Sequence, residues 1–512
     1  MTERIKSNQR LLLGGFLVGL LTIAAHWRGL WGQFVEWDDT THVTKNITIR
    51  ALTPEHWQMM FTGTIAKLYI PLTWLSFAVD YQIWGRDPFG YHLTNLVLHI
   101  ANTFLVFVLV RRLLDGRHSQ PELVALLTAA LFGVHPLRVE SVAWVTERKD
   151  VLFAFFYLLA LGAYLRWITE NKRSAYWFCF GCFGAATLAK ATAVTLPVVL
   201  LLLDYFWARR SAWPEKNLFF AVSVIISAIT FVAQASGVGE TLPNTAAIPI
   251  LARIGLAGYS ALFYIWKFFW PFHLTAVYPP FDEMNWSFSI GLTYVLVFVG
   301  VSVLLFALRR RVLLLWPGWL FYLVTLSPTI GLAPAGIHVV ADRFGYIPLL
   351  GVALPVAAGL AWLVSRQRLV WSGVAGLLAG LIFLSFQRTA EWHDTGTLFT
   401  SALRENSRCL PAYINLTLWY TSCKQFDKAI AHGQEAVKIA PAGLPGRKNL
   451  AAALIQSARY REAIAVLRPA VEHGVDDPVV WQALQKCFES VGDLSNAQAA
   501  GARYDMFEQR VK

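Results

Sequence analysis

Charge is scarce in this 512-residue chain. Asp, Glu, Lys and Arg make up 15% of it, where a soluble globule carries roughly a quarter. That shortage excludes an ordinary water-soluble enzyme, a disordered chain and a fibrous one. Cysteine is scarce too, with five residues. Cys179 and Cys182 form a lone CxxC inside an apolar run, without the second pair that a zinc site needs. Cys409 and Cys423 fall on one predicted helix, about 20 Å apart at ~1.5 Å per residue and out of disulfide reach. No disulfide framework follows. Long basic runs are also missing. The longest is Arg309-Arg310-Arg311, so the net charge of +12 gives no support to nucleic-acid binding.

What the chain has instead is apolar and aromatic mass. Hydrophobic residues are 56% of it, with 21 Trp, 17 Tyr and 34 Phe, and mean hydropathy is +0.47. A spanning helix needs about 20 mostly apolar residues. Eleven stretches qualify: roughly 11–30, 91–110, 122–142, 150–168, 175–189, 191–208, 217–235, 288–308, 312–333, 345–364 and 369–387. A tight turn is expected at Lys190. The stretch 253–272 is apolar but bracketed by Arg253, Lys267, Pro271 and Pro279, and reads as re-entrant or interface-lying.

Basic clusters set orientation. They fall at Arg4/Lys6/Arg10, Arg111/Arg112/Arg117, Lys172/Arg173, Arg209/Arg210/Lys216, Arg309–Arg311 and Arg366/Arg368. All share one side if 253–272 does not cross. The amino terminus is then cytoplasmic and the carboxyl-terminal region outside. Letting 253–272 cross would put Arg309–Arg311 outside.

Composition changes near Gln387. Residues 1–387 read as a membrane domain, with a long first outer loop at 31–90 that contains interfacial helices at 54–61 and 70–84. Residues 388–512 read as a soluble helical repeat. Ala429, Ala463 and Ala497 recur every 34 residues, as do Leu416, Leu450 and Leu484. Tyr413, Arg447 and Trp481 mark a third register. This is the tetratricopeptide pattern, in which a small residue lets two antiparallel helices approach. Three such units make a solenoid whose concave face suits a peptide or protein. The expected fold class is all-α: a polytopic membrane protein of about eleven transmembrane helices with a carboxyl-terminal α-solenoid.

Ionisable residues in a bilayer are expensive and tend to be functional. Here they gather on the predicted outer side. Asp38 and Asp39 follow the first span. Two adjacent carboxylates there suit a general base or a metal ligand, against the alternative of a solvated turn. On the second span His92, Asn95, His99 and Asn102 share one helical face. They either bond to a neighbouring helix or line a wet cavity. The two histidines are about 10 Å apart, too far to share a metal. Pro136 should kink the third span and free a carbonyl beside His135 and Glu140. Three outer turns then present Arg148/Lys149, Lys190 and Arg343, against the inside bias for positive charge. Converging cations suit a phosphate. The alternative is lipid head groups, or pairing with Asp150 and Asp342. A base carboxylate with such cations fits sugar transfer from a polyprenyl phosphate, whose departing phosphate needs no general acid.

Several segments carry a resemblance. They are Phe34-Val35-Glu36-Trp37-Asp38-Asp39, Tyr69-Ile70-Pro71-Leu72-Thr73, Gly90-Tyr91-His92-Leu93-Thr94-Asn95, and the run from Val134-His135-Pro136 through Glu140 to Glu147-Arg148-Lys149-Asp150. Leu188-Ala189-Lys190, Thr195-Leu196-Pro197, Leu203-Asp204-Tyr205 and Ala341-Asp342-Arg343-Phe344-Gly345-Tyr346 complete the set. Over nearly its whole length the chain resembles the transmembrane-and-TPR O-mannosyltransferase family, and more closely its bacterial relatives. The resemblance implies a GT-C glycosyltransferase that takes a sugar from a lipid phosphate on the non-cytoplasmic side and inverts the anomeric centre. It implies Asp38 as base with Asp39 beside it, and Arg148, Lys149, Lys190 and Arg343 as donor-phosphate ligands. His92, Asn95, His135, Glu140 and Asp150 would line the cavity. The second Asp departs from the Asp-Glu pair of related enzymes.

No cofactor is required; a divalent metal is open. Expected partners are a polyprenyl-phosphate sugar, mannose being one candidate, a protein or glycan acceptor with protein contact through the repeats, and membrane lipids. The expected location is a bacterial inner membrane with the repeats in the periplasm, or the endoplasmic reticulum in a eukaryote. Rival readings are a lipid-linked-sugar flippase and an inactive repeat-bearing scaffold.

Overall fold

Four helices of the amino-terminal unit begin on a proline: Pro54–Thr62, Pro71–Trp84, Pro88–Leu114 and Pro121–Val134. Proline's fixed φ and missing N–H suit the first helical turn, where that N–H has no partner anyway. Asp87 caps the longest of them, accepting a hydrogen bond from the Phe89 N–H at 3.0 Å. The computed structural model describes residues 2–208, 213–235, 248–281, 284, 286–332 and 338–511. Arg209 and Arg210 of the predicted basic cluster lie outside the described residues. Among those described there is no β-strand, only an isolated bridge between Ile65 and Leu68. The chain divides into two compact units, Met1–His393 and Asp394–Lys512.

All eleven predicted spans fall on helices, but not all are full length. Among the described residues seven helices are long and apolar enough to cross a membrane, or eight if one bent pair is a single span. Three predicted spans correspond to shorter helices: Arg173–Ala189, Leu315–Leu326 and Leu350–Arg366. The twelve residues of Leu315–Leu326 cover about 18 Å, short of a ~30 Å hydrocarbon core. The last span continues past its predicted end, to Glu391. Ile250–Phe269 is a twenty-residue helix outside the set of seven. The helix Phe288–Leu308 exposes Phe288, Leu296, Val303 and Phe306 on a nearly bare surface. Such a face is costly in water and natural in lipid, and this is an integral membrane protein.

The bent pair is the predicted third span. Its helix stops at Val134, His135 is extended, and Pro136 starts a new turn, so the axis bends by 59°. Breaking a helix inside an apolar unit frees carbonyls that must be satisfied. Three of them find side chains. Phe132 O accepts from Arg138 Nε at 3.3 Å, and Val134 O from Ser385 Oγ at 2.7 Å. Gly133 O accepts from both His26 Nε2 and His99 Nε2, each at 3.1 Å. Residue 133 must be glycine here, because a Cβ would strike the Thr22 hydroxyl and lie 2.8 Å from Thr103 Cγ2. The bend aims residues 136–150 at the site described below.

A second close approach joins Leu315–Leu326 to Leu350–Arg366. A Cβ on Gly351 would meet the Gly318 carbonyl and lie 2.9 Å from the Tyr322 amide nitrogen. Backbone cannot swing aside as a flexible side chain can. Gly351→Ala should therefore cost about 1–3 kcal/mol, read as a lowered unfolding temperature of the detergent-purified protein. An unchanged melt would mean that the two helices separate freely.

The carboxyl-terminal unit is three antiparallel helix pairs after a leading helix, Thr395–Glu405. The pairs are Leu410–Ser422 with Phe426–Ile439, Leu444–Gln456 with Tyr460–Glu472, and Pro478–Val491 with Leu494–Val511. Ala429, Ala463 and Ala497 are buried, as are Leu416, Leu450 and Leu484. The same period reaches the backbone. Lys424, Ala458 and Gly492 all have positive φ, at 59°, 59° and 81°. Each closes the first helix of its pair, and the next amide donates back to Tyr420 O, Leu454 O or Phe488 O. Only the last position has the residue that left-handed geometry favours. Ala458→Gly should stabilise this unit by about 1 kcal/mol, seen as a higher denaturation midpoint. A lower midpoint would show that helix propensity outweighs the strain.

Candidate active site

The first loop brings its two carboxylates to different fates. Asp39 is fully buried and accepts from the Val35 and Thr146 amides, each at 2.9 Å, and from the Thr146 hydroxyl. It ties the loop to the turn at 145–147. Burial pushes its carboxyl up to about 6 and the neighbouring Asp38 charge adds to that, while the donors pull it back. Asp38 is only half-buried. Among the described residues its carboxylate accepts no hydrogen bond. Burial raises it above the usual carboxylate range. Lys149 pulls it down, Glu147 pushes it up and Arg343 pulls it down. Beside it the Trp37 ring stacks on Trp144 at 4.7 Å, and Trp144 on Trp392 at 5.4 Å.

The turn after the helix break supplies the charges facing Asp38. Glu147 pairs with Lys149 at 2.9 Å and with Arg343 Nε at 3.3 Å. Arg343 also pairs with Glu140 through its guanidinium, and its backbone N–H donates to Glu140 at 3.2 Å. Lys190 pairs with Asp150, which accepts from Ser141 Oγ at 3.1 Å as well. Lys149 and Arg343 both lie over the Trp144 ring, at 5.7 and 5.5 Å. Buried charges persist only when paired in this way. Lys190 and Arg343 then line a small, partly open pocket with Asp150, Tyr157, Thr195 and Tyr346. Arg343 is the member common to the pocket and to the surroundings of Asp38.

Arg148 is placed differently from the donor-phosphate expectation. It is fully buried and all its nitrogens are engaged. They donate to Asp80 at 2.7 Å, Tyr91 O at 2.8 Å, Ser76 Oγ at 2.6 Å and Asn95 Oδ1. Four of its five N–H donors are thereby taken by the protein itself. It clamps the helix Pro71–Trp84 to Pro88–Leu114. His135 is likewise architectural rather than cavity-lining. Its Nδ1 accepts from the Leu137 amide at 3.2 Å, and Nε2 donates to Phe268 O at 2.9 Å.

The polar stripe on Pro88–Leu114 binds its neighbours. Asn95 donates to Val142 O and Trp144 O at 3.2 and 3.1 Å. His99 Nδ1 accepts from the Tyr346 hydroxyl at 2.7 Å, and Asn102 donates to Val151 O at 2.8 Å. His92 is buried against the backbone of Gly32, Gln33 and Ala143. Of the sequence-derived candidates, Asp38, Asp39, Glu140, Lys149, Asp150, Lys190 and Arg343 converge. Among the described residues no three His, Cys, Asp or Glu side chains are grouped as a metal site.

Sequence reasoning missed four contributors. Glu147 links Lys149 to Arg343, Thr146 holds Asp39, Trp144 forms the aromatic wall, and Asp80 neutralises Arg148. Glu147 stood inside the quoted Glu-Arg-Lys-Asp run. Asp80 was the one charged residue in the helix Pro71–Trp84, and that was its signal.

Fold and site together define a polytopic integral membrane protein with an appended tetratricopeptide-repeat unit. Two family profiles match it: "Dolichyl-phosphate-mannose-protein mannosyltransferase" over residues 71–235 and "Tetratricopeptide repeat" over residues 422–487. Protein O-mannosyl-transferase Tmtc3 of Drosophila melanogaster is 24% identical over 89% of this chain and 58% of its own length. Human protein O-mannosyl-transferase TMTC4 is 26% identical over 76% of this chain and 61% of its own. Over most of its length the chain is thus similar to transmembrane-and-TPR O-mannosyltransferases, and it spans less than two thirds of the length of these relatives. The crystal structure of ArnT from Cupriavidus metallidurans, bound to undecaprenyl phosphate, aligns over 96% of this chain and 76% of that one. The TM-score is 0.35 and the identity 13%.

Proposed function

We propose that the protein is a GT-C-type glycosyltransferase. It moves a sugar, mannose by its relatives' names, from a polyprenyl phosphate to a hydroxyl of a protein or glycan on the non-cytoplasmic side. The observation that carries this reading is the Asp38 carboxylate. It is half-buried, accepts no hydrogen bond among the described residues and is set in the field of Lys149, Glu147 and Arg343. A carboxylate held ready beside fixed cations suits removal of a proton from an acceptor hydroxyl.

The step balances without a cofactor. The acceptor oxygen forms a bond to the anomeric carbon as the bond from that carbon to the phosphate oxygen breaks. The proton passes to Asp38, the electron pair stays on the departing phosphate, and attack opposite the leaving group inverts the centre. Lys190 and Arg343 face the pocket and keep donors beyond those given to Asp150, Glu140 and Glu147. They would hold the phosphate as its charge grows. Lys149 balances Asp38 and Glu147, and Arg148 supports the turn from behind. Asp39 fixes the loop that presents Asp38. The repeats would recruit a protein on the same side of the membrane.

The test uses the full chain in lipid nanodiscs with radiolabelled dolichyl- or undecaprenyl-phosphate mannose and hydroxyl-bearing peptides or glycans. Label should reach the acceptor with wild type and not with Asp38→Asn. Equal transfer by both would remove Asp38 from the mechanism. Arg343→Lys keeps one charge but loses the planar fork that serves two carboxylates. It should lower kcat/KM by about 10–100-fold. Wild-type efficiency in that variant would free Arg343 of any part in holding the donor.

A further inference from the structure

Two buried polar atoms beside the Asp38 loop have no hydrogen-bond partner among the described residues: Nε2 of His42 and Oε2 of Glu147. Exposure is 0% for His42 and 1% for Glu147, and a buried polar atom without a partner is destabilising. Their surroundings place them together. His42 sits on the turn Thr40–Thr44, wound in the wide π form, with the Lys45 N–H donating to Thr40 O at 2.9 Å. Such turns are rare and recur at functional sites. Four residues from Asp38, His42 shares its side of the turn. Val43 packs in one cluster with Trp74 and Val145, and Asp39 holds the Thr146 amide, so the turn lies against residues 145–147. Lys149 and Glu147 are the charges that act on the His42 ring. Glu147 makes both of its cation contacts, to Lys149 and Arg343, through Oε1, and so leaves Oε2 over.

The ring is fixed, and its tautomer with it. Trp74 Nε1 can only donate, and it donates to His42 Nδ1 at 3.4 Å. Burial pushes the imidazole down to about 3, with Lys149 lowering it further. The ring is therefore neutral and its hydrogen is on Nε2. The His42 carbonyl accepts from Asn46 Nδ2 at 3.0 Å, and Trp74 stands on the helix that Arg148 clamps. Nε2 is thus a fixed donor and Oε2 a fixed acceptor. A cation would meet the N–H, and an anion would meet the Glu147 charge. A neutral hydroxyl suits both, since its lone pair accepts from Nε2 while its hydrogen goes to Oε2.

We infer that His42 and Glu147 read one hydroxyl of the donor's pyranose ring. This rests on the sugar-phosphate donor proposed above and adds to it a means of telling one sugar from another. Two things point to the donor's ring rather than the acceptor. The acceptor's proton is the one taken by Asp38, and Arg343 ties Glu147 to the phosphate pocket. A sugar bonded directly to that phosphate presents its hydroxyls to the residues next to the same guanidinium. A deoxy sugar would leave both buried atoms unpaired, and sites that hydrogen-bond a hydroxyl reject analogues lacking it.

The experiment measures binding of the full chain in nanodiscs to undecaprenyl phosphate, to its mannosyl form, and to monodeoxy mannosyl forms that each lack one ring hydroxyl. His42→Asn keeps an acceptor for Trp74 near the Nδ1 position and loses the donor at Nε2. His42→Gln carries an NH₂ out to the Nε2 position. His42→Asn should bind the mannosyl lipid about 10–100-fold more weakly and bare undecaprenyl phosphate as wild type does. His42→Gln should recover most of that loss. One monodeoxy lipid should bind wild type weakly and lose nothing more in His42→Asn. Unchanged affinity of His42→Asn for the mannosyl lipid would overturn the inference. So would a loss shared by the bare lipid, which marks a brace, or an equal loss for every monodeoxy lipid, which marks a bound water. Equal affinities of wild type for bare and mannosyl lipid would sink this inference and leave the Asp38 test standing. An active Asp38→Asn would sink the catalytic reading and leave this binding test intact.

Discussion

Asparagine at position 38 is expected to end sugar transfer, with kcat falling about 10²–10⁴-fold while the protein still folds and still binds donor. Asp38 accepts no hydrogen bond among the described residues, so an isosteric amide breaks nothing. What it removes is the negative charge and basicity that let the side chain take the acceptor's proton. The pH profile provides a second reading. The base must be ionised to work, and burial raises the Asp38 carboxyl above the ordinary range. The acid limb of kcat/KM should therefore lie at higher pH than for a free aspartate. Asp39→Asn should behave differently. Its carboxylate accepts from two amides and a hydroxyl, and an asparagine NH₂ would confront an N–H. The result is lost stability, about 1–3 kcal/mol, before any change in chemistry. A fully active Asp38→Asn together with a well-folded, inactive Asp39→Asn would reverse the two roles.

Arg148→Met should be the most destabilising single substitution in the amino-terminal unit. Asp80 would be left charged, buried and unpaired, at a cost of about 3–5 kcal/mol. Ser76, Asn95 and the Tyr91 carbonyl would lose their donor as well. The expected observation is a collapse in the yield of monodisperse protein and in its melting temperature. Asp80→Leu placed in the same chain should restore part of both, because it removes the orphaned charge. If Arg148→Met instead melts like wild type and only loses affinity for a polyprenyl phosphate, the clamp assignment is wrong and the phosphate role returns.

The repeat unit was legible because its signal is a period. Ala429, Ala463 and Ala497 announce close helix pairs with no tertiary knowledge, and the backbone obeys the same 34-residue step at Lys424, Ala458 and Gly492. The spans were legible as positions, less so as lengths. Hydropathy sees composition, whereas the end of a helix depends on a residue such as His135, whose extended backbone and two hydrogen bonds have no hydropathic trace. The candidate site was visible as a set of charges against the expected bias. Which charges work and which merely brace was not visible, since that depends on partners far along the chain. Arg148 and Lys149 are neighbours in sequence. One is saturated by Asp80 and Tyr91, the other turns to Glu147 and Asp38.

Arg343 stands between the two halves of the proposed reaction, and that has a kinetic consequence. Its positive field currently makes the Asp38 carboxyl a weaker proton acceptor. An anion docking in the pocket beside Arg343 and Lys190 would offset part of that field. On the proposed reaction, proton affinity at Asp38 would rise further once a lipid-linked sugar had docked there. Lys149 and Arg343 together temper a carboxyl that burial has already raised, so the proposed reaction would tie the arrival of the donor to the strength of its base.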